Sequence, residues 1–271
     1  MKVGLEGKTV VVTGGTQGLG ETIARLAADS GATAVALVGR NADRGDRIAA
    51  ELSKSGCPTS FIRADLAEAD APKAVIAAVI AKLGRVDCLV NAAGLTDRAS
   101  LEEGTLNDWD RLFAVNARAP FFLMQAAVAD MKARRAAGAI VNILSVNAHC
   151  GAPDLAIYSA TKGALSTLTK NAANAHLADR IRVNGINMGW VATPAEQAMQ
   201  ADTLGKGEGW AEAAAKTMPL GRLLTADEVA QLAVFLLSDA SGLMTGGLID
   251  LEQSVLGAPP LRPTKDSLAD R

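Results

Sequence analysis

The sequence predicts a doubly wound α/β fold: a single domain in which a seven-stranded parallel sheet is flanked by helices on both faces. Short β-branched runs alternate with longer segments of helical periodicity along the chain. The strand candidates are near-continuous apolar runs, as expected of parallel strands that are buried on both faces. A glycine-rich turn directly follows the first of them. Hydrophobic residues make up 49% of the 271 residues and aromatic residues only 3%, which predicts a large aliphatic core.

The strand candidates share β-branched and apolar sequence and are 8–14, 33–39, 59–65, 86–94, 138–145, 181–187 and 246–252. Between them, apolar residues recur at helical spacing, most regularly in 71–83 and 226–237. Thr225 and Glu228 have the spacing of a capping box, which predicts that the last helix begins directly after Thr225.

No internal linker, repeat or low-complexity run interrupts this pattern, so we expect one domain over residues 1–254. The segment 190–224 is less regular, and its pattern fits either a mobile lid or a long helical insertion. Residues 255–271 are polar and proline-rich, and we interpret them as a C-terminal tail.

Charge and cysteine content exclude several classes of protein. With 27 basic and 29 acidic residues the formal net charge is −2, which argues against a nucleic-acid binder. Cys57, Cys88 and Cys150 are far apart, which predicts neither a metal site nor a disulfide framework and favours the reducing cytoplasm. No uninterrupted apolar run reaches the roughly 18 residues of a membrane span, so we expect no membrane contact.

The glycine-rich turn has the sequence TGGTQGLG and occupies residues 13–20. Its Gly14, Gly18 and Gly20 have the spacing G-x-x-x-G-x-G. Glycines allow a tight turn and close approach of the backbone to phosphate, while the next helix offers N–H groups at its N-terminus. A βα turn that binds nothing is the alternative. The location between the first strand and the first helix favours a dinucleotide site.

The end of the second strand bears on the choice of cofactor. Sites that prefer NAD usually place an acid there, whereas this chain has Gly39 followed by Arg40. A guanidinium suits a 2′-phosphate through bidentate hydrogen bonds, so NADP(H) is favoured, with NAD(H) as the alternative. A solvated loop arginine is the competing explanation. Arg44 and Arg47 either add positive charge nearby or face water.

The chain has one tyrosine, Tyr158, and Lys162 follows it at a spacing of four, so the two lie on one helix face. Ser145 closes the apolar run 138–145, and the carboxyl end of a strand is where α/β folds place ligands. Lowering the pKa of a phenol from about 10 to near 7 requires roughly 4 kcal/mol. A nearby ammonium and a cationic nicotinamide both act in that direction. Separately these residues have ordinary structural explanations, but together they predict a catalytic site.

Taken together, TGGTQGLG, NAAG at 91–94, Asn116, Ser145 and YSATK at 158–162 resemble the short-chain dehydrogenase/reductase family. The resemblance covers about residues 5–252, nearly the whole chain. It implies a Rossmann-like fold, a nicotinamide-dependent oxidoreductase and a small-molecule substrate. It also implies a homo-oligomer, a tetramer or dimer, in which helices such as 105–135 and 156–178 pack against a partner.

The resemblance implies a role for each of four catalytic residues. Tyr158 would be the general acid in reduction and the base in oxidation. Lys162 would lower the pKa of Tyr158 and hold the nicotinamide ribose. Ser145 would hydrogen-bond the substrate oxygen, and Asn116 would hold a water that links Lys162 to solvent.

The residues predicted to contact the cofactor are Gly14, Thr16, Gln17, Gly18, Leu19, Gly20, Arg40, Asn41, Asp65, Leu66, Asn91, Ala92, Gly94, Tyr158, Lys162, Gly189, Val191 and Thr193. In the family pattern, Asp65 matches an adenine contact and Thr193 a contact to the carboxamide. Two departures stand out. The family often has Pro-Gly where this chain has Met188-Gly189, and commonly has Gly-Gly where this chain has DLEQS at 250–254.

Side chains expected to line a substrate pocket are Thr96, Asp97, Arg98, Asn147, His149, Trp190, Glu196 and Trp210. Polar groups mixed with indoles suit a sugar or polyol. Two alternatives stay open: a 3-oxoacyl reductase acting on a carrier-bound thioester, which would need a basic docking patch such as 132–135, and a non-catalytic dinucleotide-binding sensor.

Overall fold

A computed structural model of the chain describes residues 3–258. Its strands form one seven-stranded parallel sheet in the order β3-β2-β1-β4-β5-β6-β7, which confirms the predicted fold class. The strands are β1 Thr9–Thr13, β2 Ala34–Gly39, β3 Thr59–Arg63, β4 Cys88–Asn91, β5 Gly138–Ile143, β6 Ile181–Met188 and β7 Leu248–Leu251.

The α-helices within the described residues are α1 Gly18–Asp29, α2 Ala42–Lys54, α3 Ala71–Leu83, α4 Leu106–Phe113, α5 Ala119–Ala133, α6 Ala156–Ala175, α7 Pro194–Gln197, α8 Trp210–Ala215 and α9 Ala226–Leu237. The helices expected at 71–83 and 226–237 are found with those bounds. The predicted capping box is present: Glu228 N donates to Thr225 Oγ1 at 3.2 Å, and Thr225 N donates to Glu228 Oε2 at 2.9 Å.

The strand order places the cavity. The chain runs from β1 outward through β2 to β3, then returns to the other side of β1 and continues from β4 to β7. The connections that leave β1 and β4 therefore diverge at the carboxyl ends of these two neighbouring strands. Such a switch point opens a crevice in which doubly wound proteins bind ligands.

The core consists of two aliphatic layers, one on each face of the sheet. Val10 and Val12 of β1 pack into the layer that holds α1 and α9, whereas Val11 packs into the layer that holds α3 and α5. This alternation follows from the two-residue period of a strand. Because β1 has neighbours on both edges and helices on both faces, its end is a fixed support for the glycine turn.

Six of the seven predicted strands are shorter in the structure, β4 and β7 by the largest margin. The candidate 86–94 corresponds to β4, which ends at Asn91, because Ala92 N and Ala93 N both donate to Thr13 Oγ1 at 3.1 Å instead of a neighbouring strand. The candidate 246–252 corresponds to β7, which begins after Gly246, a residue with φ of 72°.

The irregular segment 190–224 is a helical insertion. It contains α7, a π-helical stretch Ala198–Thr203 and α8. It has a small core of its own, in which Trp210 and Leu223 are buried. The predicted tail, 255–271, lies outside the described residues from position 259 onward, so the boundary at 254 stays a prediction.

The continuous helical stretch Leu106–Ala133, which joins α4 to α5 through a π-helical turn, is long and apolar enough to cross a membrane by length and composition alone. Its most apolar window has a mean hydropathy of 1.3, and 61% of that window is buried inside the fold. Leu123 and Met131 of α5 pack against the sheet. These contacts are those of a core helix.

Candidate active site

A cavity of about 750 Å³ opens at the carboxyl ends of the strands. The predicted residues that line it are Gly14, Thr16, Gln17, Gly18, Leu19, Gly20, Arg40, Asn41, Asp65, Leu66, Ala92, Gly94, Ser145, Tyr158, Lys162, Gly189, Val191 and Thr193. Asn91 and Asn116 do not line it. The cavity therefore gathers the predicted cofactor and catalytic residues along one continuous surface.

The backbone of the glycine turn shows why glycine is needed at three positions. Gly14 and Gly18 have φ of 68° and 52°, in the left-handed region that other residues avoid. Gly20 has an ordinary φ, but a Cβ there would lie 2.3 Å from Gly14 O. Gln17 precedes α1 without a side-chain capping hydrogen bond, so the first N–H groups of α1 are left for another acceptor. This cradle fits the pyrophosphate of a dinucleotide.

Beyond β2 the cavity wall is cationic. Arg40, Asn41 and Arg44 line it, and Arg44 also donates to the side chain of Gln17. Asn41 caps α2 by accepting from Arg44 N at 2.9 Å. Arg47 does not line the cavity and forms an ion pair with Glu51 at 2.8 Å. Of the two additional arginines considered from the sequence, only Arg44 adds charge to the cavity.

The next strand contributes the wall that the family pattern assigns to adenine. Asp65 follows β3, and its Oδ1 accepts from Ala67 N at 3.0 Å, which fixes the turn. Leu66 lines the cavity and is largely buried. A carboxylate with one engaged oxygen beside an apolar side chain fits a base that is both hydrogen-bonded and stacked.

Tyr158 and Ser145 meet at the inner end of the cavity. Tyr158 lies in the first turn of α6, Ser145 follows β5, and both line the cavity. Burial raises the pKa of Tyr158 to about 12; the Ser145 side chain opposes this rise, Glu196 adds to it and Arg98 opposes it. The phenol is therefore protonated at neutral pH in this form of the protein.

Lys162 lies one helical turn further along α6. Its Nζ donates to Ile143 O at 2.9 Å and lies 5.7 Å from the centre of the Tyr158 ring. Burial lowers the pKa of Lys162 to about 8. Sequence reasoning expected the ammonium to lower the pKa of the phenol, but burial acts on both groups and favours the neutral form of each.

Asn116 supports the cavity from behind. It is fully buried in the π-helical turn between α4 and α5. Its Oδ1 accepts from Leu95 N and its Nδ2 donates to Leu95 O, both at 2.9 Å, and Nδ2 also donates to Thr161 Oγ1 at 3.1 Å. The side chain thus joins the loop after β4 to α6. Asn116 itself does not line the cavity, and its expected role of holding a water stays a prediction.

Asn91 also lies behind the wall. Its Nδ2 donates to Asn142 Oδ1 at 2.8 Å, and this pair joins β4 to β5 inside the sheet. Asn142 in turn donates to Thr169 Oγ1 at 2.8 Å. The side chain of Asn91 therefore supports the sheet, and its expected contact with the cofactor stays a prediction.

The two departures from the family pattern meet in the structure, where the side chain of Glu252 contacts Gly189. Gly189 N donates to Leu251 O at 2.9 Å, which fixes this backbone without a preceding proline. A Cβ at Gly189 would lie 2.1 Å from Glu252 Oε2, so the carboxylate rests on the glycine. Thr193 lines the cavity and caps α7 by accepting from Glu196 N at 3.2 Å.

The pocket residues expected from the sequence divide into two groups. Those that line the cavity are Thr96, Arg98, Asn147, Trp190 and Glu196. Asp97 pairs with Arg111 and His149 with Asp250, and Trp210 is buried in the core of the insertion. These three do not line the cavity, because a local sequence pattern does not reveal which way a loop side chain turns.

Several lining residues were not expected from the sequence: Asp154, Gln200, Leu204, Lys206, Met218 and Glu252. Most of them come from the insertion, where irregular periodicity hid which side chains face inward. Glu252 directly follows β7, and its location at a strand's carboxyl end is a signal that sequence reasoning overlooked.

The glycine cradle, the cationic wall and the buried Ser145–Tyr158 pair define a dinucleotide-dependent oxidoreductase of the doubly wound α/β class. Residues 8–204 match the model of the family described as short chain dehydrogenase. The chain belongs to the short-chain dehydrogenase family, and it is an NAD(P)-dependent oxidoreductase.

Three known proteins illustrate the similarity. Gluconate 5-dehydrogenase of Gluconobacter oxydans (strain 621H) is 36% identical over 251 residues, which cover 93% of this chain and 95% of the relative. L-sorbose reductase from Gluconobacter frateurii, solved with NADPH and L-sorbose, has a TM-score of 0.89 and 30% identity over 96% of this chain and 100% of that chain. A 3-oxoacyl (acyl-carrier-protein) reductase from Agrobacterium tumefaciens C58, solved with NADP, has a TM-score of 0.85 and 31% identity over 94% and 96%.

Proposed function

We propose that this oxidoreductase transfers a hydride between NADP(H) and a secondary hydroxyl or carbonyl group of a sugar or polyol. The observation that carries the proposal is the arrangement along one cavity: a phosphate cradle and two arginines at one end, and Tyr158 with Ser145 and Lys162 at the other. The similarity to a gluconate 5-dehydrogenase and an L-sorbose reductase supports the substrate class.

The preference for NADP(H) rests on charge. Arg40 and Arg44 both line the cavity beyond β2, and neither has an ion pair with a described carboxylate. Guanidinium groups bind phosphate through charge-assisted hydrogen bonds, and Asn41 beside them lacks the charge that would repel a 2′-phosphate. The NADPH and NADP bound to the two solved relatives are consistent with this assignment.

In the proposed mechanism the nicotinamide, when bound, supplies or accepts the hydride, and the protein handles the proton. During reduction Tyr158 donates its phenolic proton to the substrate oxygen, since the phenol is protonated at neutral pH. Ser145 donates a hydrogen bond to the same substrate oxygen and orients it. Oxidation runs the same steps in reverse.

Lys162 is the charged group nearest to this proton transfer on α6. With a pKa of about 8 its ammonium is charged at neutral pH but easily deprotonated. When Tyr158 loses its proton, the buried phenolate gains a stabilising cation one helical turn away. Asn116 keeps this geometry by joining α6 to the loop that carries Gly94 and Leu95.

A reductase acting on a carrier-bound thioester is the second candidate, and the similarity to a 3-oxoacyl reductase favours it. The basic segment 132–135 offers little free charge for an acidic carrier. Lys132 pairs with Asp179 at 2.8 Å, and Arg134 pairs with Asp130 at 2.9 Å and with Asp87 at 3.2 Å. The polar side chains at the substrate end, among them Thr96, Arg98 and Glu196, and these ion pairs make the sugar or polyol the better-supported substrate.

The test is nicotinamide absorbance of the purified protein with NADP+ or NAD+ and a panel of polyols, sugars and simple secondary alcohols. The reverse reaction is assayed with ketoses and acetoacetyl thioesters. Turnover of a polyol or ketose with a preference for NADP(H) is expected. Turnover restricted to the thioester would replace the proposal with the second candidate, and cofactor binding without any turnover would indicate a sensor.

We further propose that the protein works in the cytoplasm as a homotetramer or dimer. Leu106 and Trp109 of α4 and Phe121 of α5 are exposed apolar side chains on one helical stretch, where a partner surface would bury them. Light scattering on the purified chain measures the molar mass of the assembly and therefore the number of subunits. A mass of one chain at micromolar concentration would contradict it.

A further inference from the structure

The substrate end of the cavity contains a cation that is already neutralised. Each nitrogen of the Arg98 guanidinium faces an oxygen of the protein: Nη1 donates to Thr96 O at 2.8 Å, Nη2 lies 3.7 Å from Glu196 Oε1, and Nε lies 3.2 Å from Asp154 Oδ2. The contact to Asp154 is an ion pair without hydrogen-bond alignment. Two carboxylates therefore face the one arginine beside the reacting groups.

Glu196 is held in place by neighbours that all approach one of its oxygens. Trp190 Nε1 donates to Oε1 at 3.0 Å and Gln200 Nε2 donates to Oε1 at 2.7 Å, while Arg98 faces the same atom. Among the described residues no donor contacts Oε2. Glu196 lines the cavity, and its side chain is only 14% exposed. It is thus a rigid, nearly buried carboxylate with one acceptor oxygen left over.

Glu196 lines the same cavity as Tyr158 and Ser145. Glu196 and Arg98 are the charged side chains that act on the pKa of Tyr158, in opposite directions. Glu252, which rests on Gly189, adds another carboxylate to the cavity wall, and Lys206 adds a cation that is bonded to Gln200 at 2.7 Å. With Asp154 included, three carboxylates of the cavity wall lie at this end, together with the cations Arg98, Lys206 and Lys162.

We propose that Glu196 determines substrate specificity by accepting a hydrogen bond from a substrate hydroxyl near the reacting carbon. We infer that the carboxylates of this end select a neutral polyhydroxy compound over a sugar acid. The inference rests on the proposed hydride transfer to a sugar or polyol and narrows its substrate class. It also separates this chain from its gluconate-oxidising relative.

Two physical effects act together. A hydroxyl that donates to a fixed, nearly buried carboxylate forms a charge-assisted hydrogen bond, which is stronger than a bond between neutral groups. A substrate carboxylate at the same place would face Glu196 and Asp154 in a partly desolvated cavity, and Arg98 is not free to compensate. Like charges in such surroundings repel each other and disfavour binding.

The experiment compares substrates that differ only at one terminal carbon. D-sorbitol and D-gluconate, D-mannitol and D-mannonate, and galactitol and D-galactonate are each assayed with NADP+, and kcat/KM is measured for both members. For the wild type we expect kcat/KM for the polyol to exceed kcat/KM for the acid at least about tenfold, in the pair whose stereochemistry the protein accepts. Glu196→Gln should lower this ratio about tenfold, because the amide keeps the shape and loses the charge.

Glu212→Gln is the matched control, since Glu212 lies on α8 of the same insertion, is exposed and does not line the cavity. Its ratio should equal that of the wild type. Melting temperature and NADPH fluorescence verify that each variant is folded and binds cofactor. Asp154→Asn is a second variant, which tests the inference even if Glu196→Gln does not fold. It should raise kcat/KM for the acid.

A wild-type ratio below one, or an equal ratio in the wild type, Glu196→Gln and Asp154→Asn, would overturn the inference. Turnover of simple secondary alcohols but of neither member of any pair would also overturn it and leave hydride transfer in place. Absence of turnover with every alcohol and carbonyl compound would remove the proposed function itself. The ratio of polyol to acid activity therefore tests the specificity inference, whereas turnover of simple alcohols tests the proposed hydride transfer.

Discussion

The cofactor end and the substrate end of the cavity are built in different ways. The cofactor end is mostly backbone from one stretch, the turn 13–20, where Gly14, Gly18 and Gly20 leave room for close approach. The substrate end consists of side chains such as Arg98 and Glu196, which lie far apart in the sequence and are held by one another. A backbone site is readable from a short motif, whereas a side-chain site exists only after the chain has folded.

The largest difference between the two ends is expected when one hydroxyl is removed at the substrate end. We expect Tyr158→Phe to lower kcat about 1000-fold, since general acid–base catalysis typically contributes 10² to 10⁴. The Kd for NADPH, measured by fluorescence, should change only a few-fold because the glycine cradle is untouched. Turnover within tenfold of the wild type would show that another group carries the proton.

The lowered pKa of Lys162 shows that burying this ammonium at the substrate end reduces the stability of the folded protein. Its pKa in the folded chain, about 8, lies below its usual 10.5. Between these values the unfolded chain binds more protons, so the stability of the wild type rises with pH across this window. Lys162→Met removes the penalty and also the bond to Ile143 O. We expect a gain of about 2 kcal/mol in the free energy of unfolding at pH 7.

The measurement is urea unfolding of the cofactor-free protein at pH 7 and at pH 9.5. The gap between Lys162→Met and the wild type should shrink to a few tenths of a kcal/mol at the higher pH, because the folded wild type is then mostly neutral at Lys162. Activity of the variant should be lost at both values. A gap that is constant with pH would mean that Lys162 is charged in the folded protein throughout.

At the cofactor end, the expected effect follows from backbone contact. In Gly20→Ala the new Cβ would lie 2.3 Å from Gly14 O, so the turn must shift. Overpacking of this kind costs about 2 kcal/mol, and we expect the Kd for NADPH to rise about 30-fold. Gly209→Ala is the control, because no atom lies within 4 Å of its new Cβ. Equal affinities in the two variants would remove Gly20 from the cradle.

The smallest expected effect concerns the choice of cofactor. Arg40→Ala should raise KM for NADP(H) about tenfold more than KM for NAD(H), since one charge-assisted phosphate contact is lost. Arg47→Ala is the matched control, because Arg47 pairs with Glu51 outside the cavity. An equal change for both cofactors would assign Arg40 to solvent. The ratio of the two KM changes shows how much a side chain, in addition to the glycine backbone, contributes to cofactor binding.

Much of the fold was predictable because its signals are local. The continuous apolar run of β1 and the helical stripes of α3 and α9 are visible in windows of a few residues, and these elements were placed correctly. The end of β4 was misplaced, since Thr13 Oγ1 takes the N–H groups of Ala92 and Ala93 from 79 and 80 residues away in the sequence. No local pattern contains that competition.

By itself, the sequence determined the turn 13–20 on the central strand and the pairing of Tyr158 with Lys162, because glycine sterics and a spacing of four operate within single elements. Only the tertiary structure decided that Asp97 and His149 turn away from the cavity and that Gln200 turns into it. The orientation of a side chain depends on which donors and acceptors surround it. Those neighbours come from other segments, so their positions are known only once the sheet and the insertion have packed.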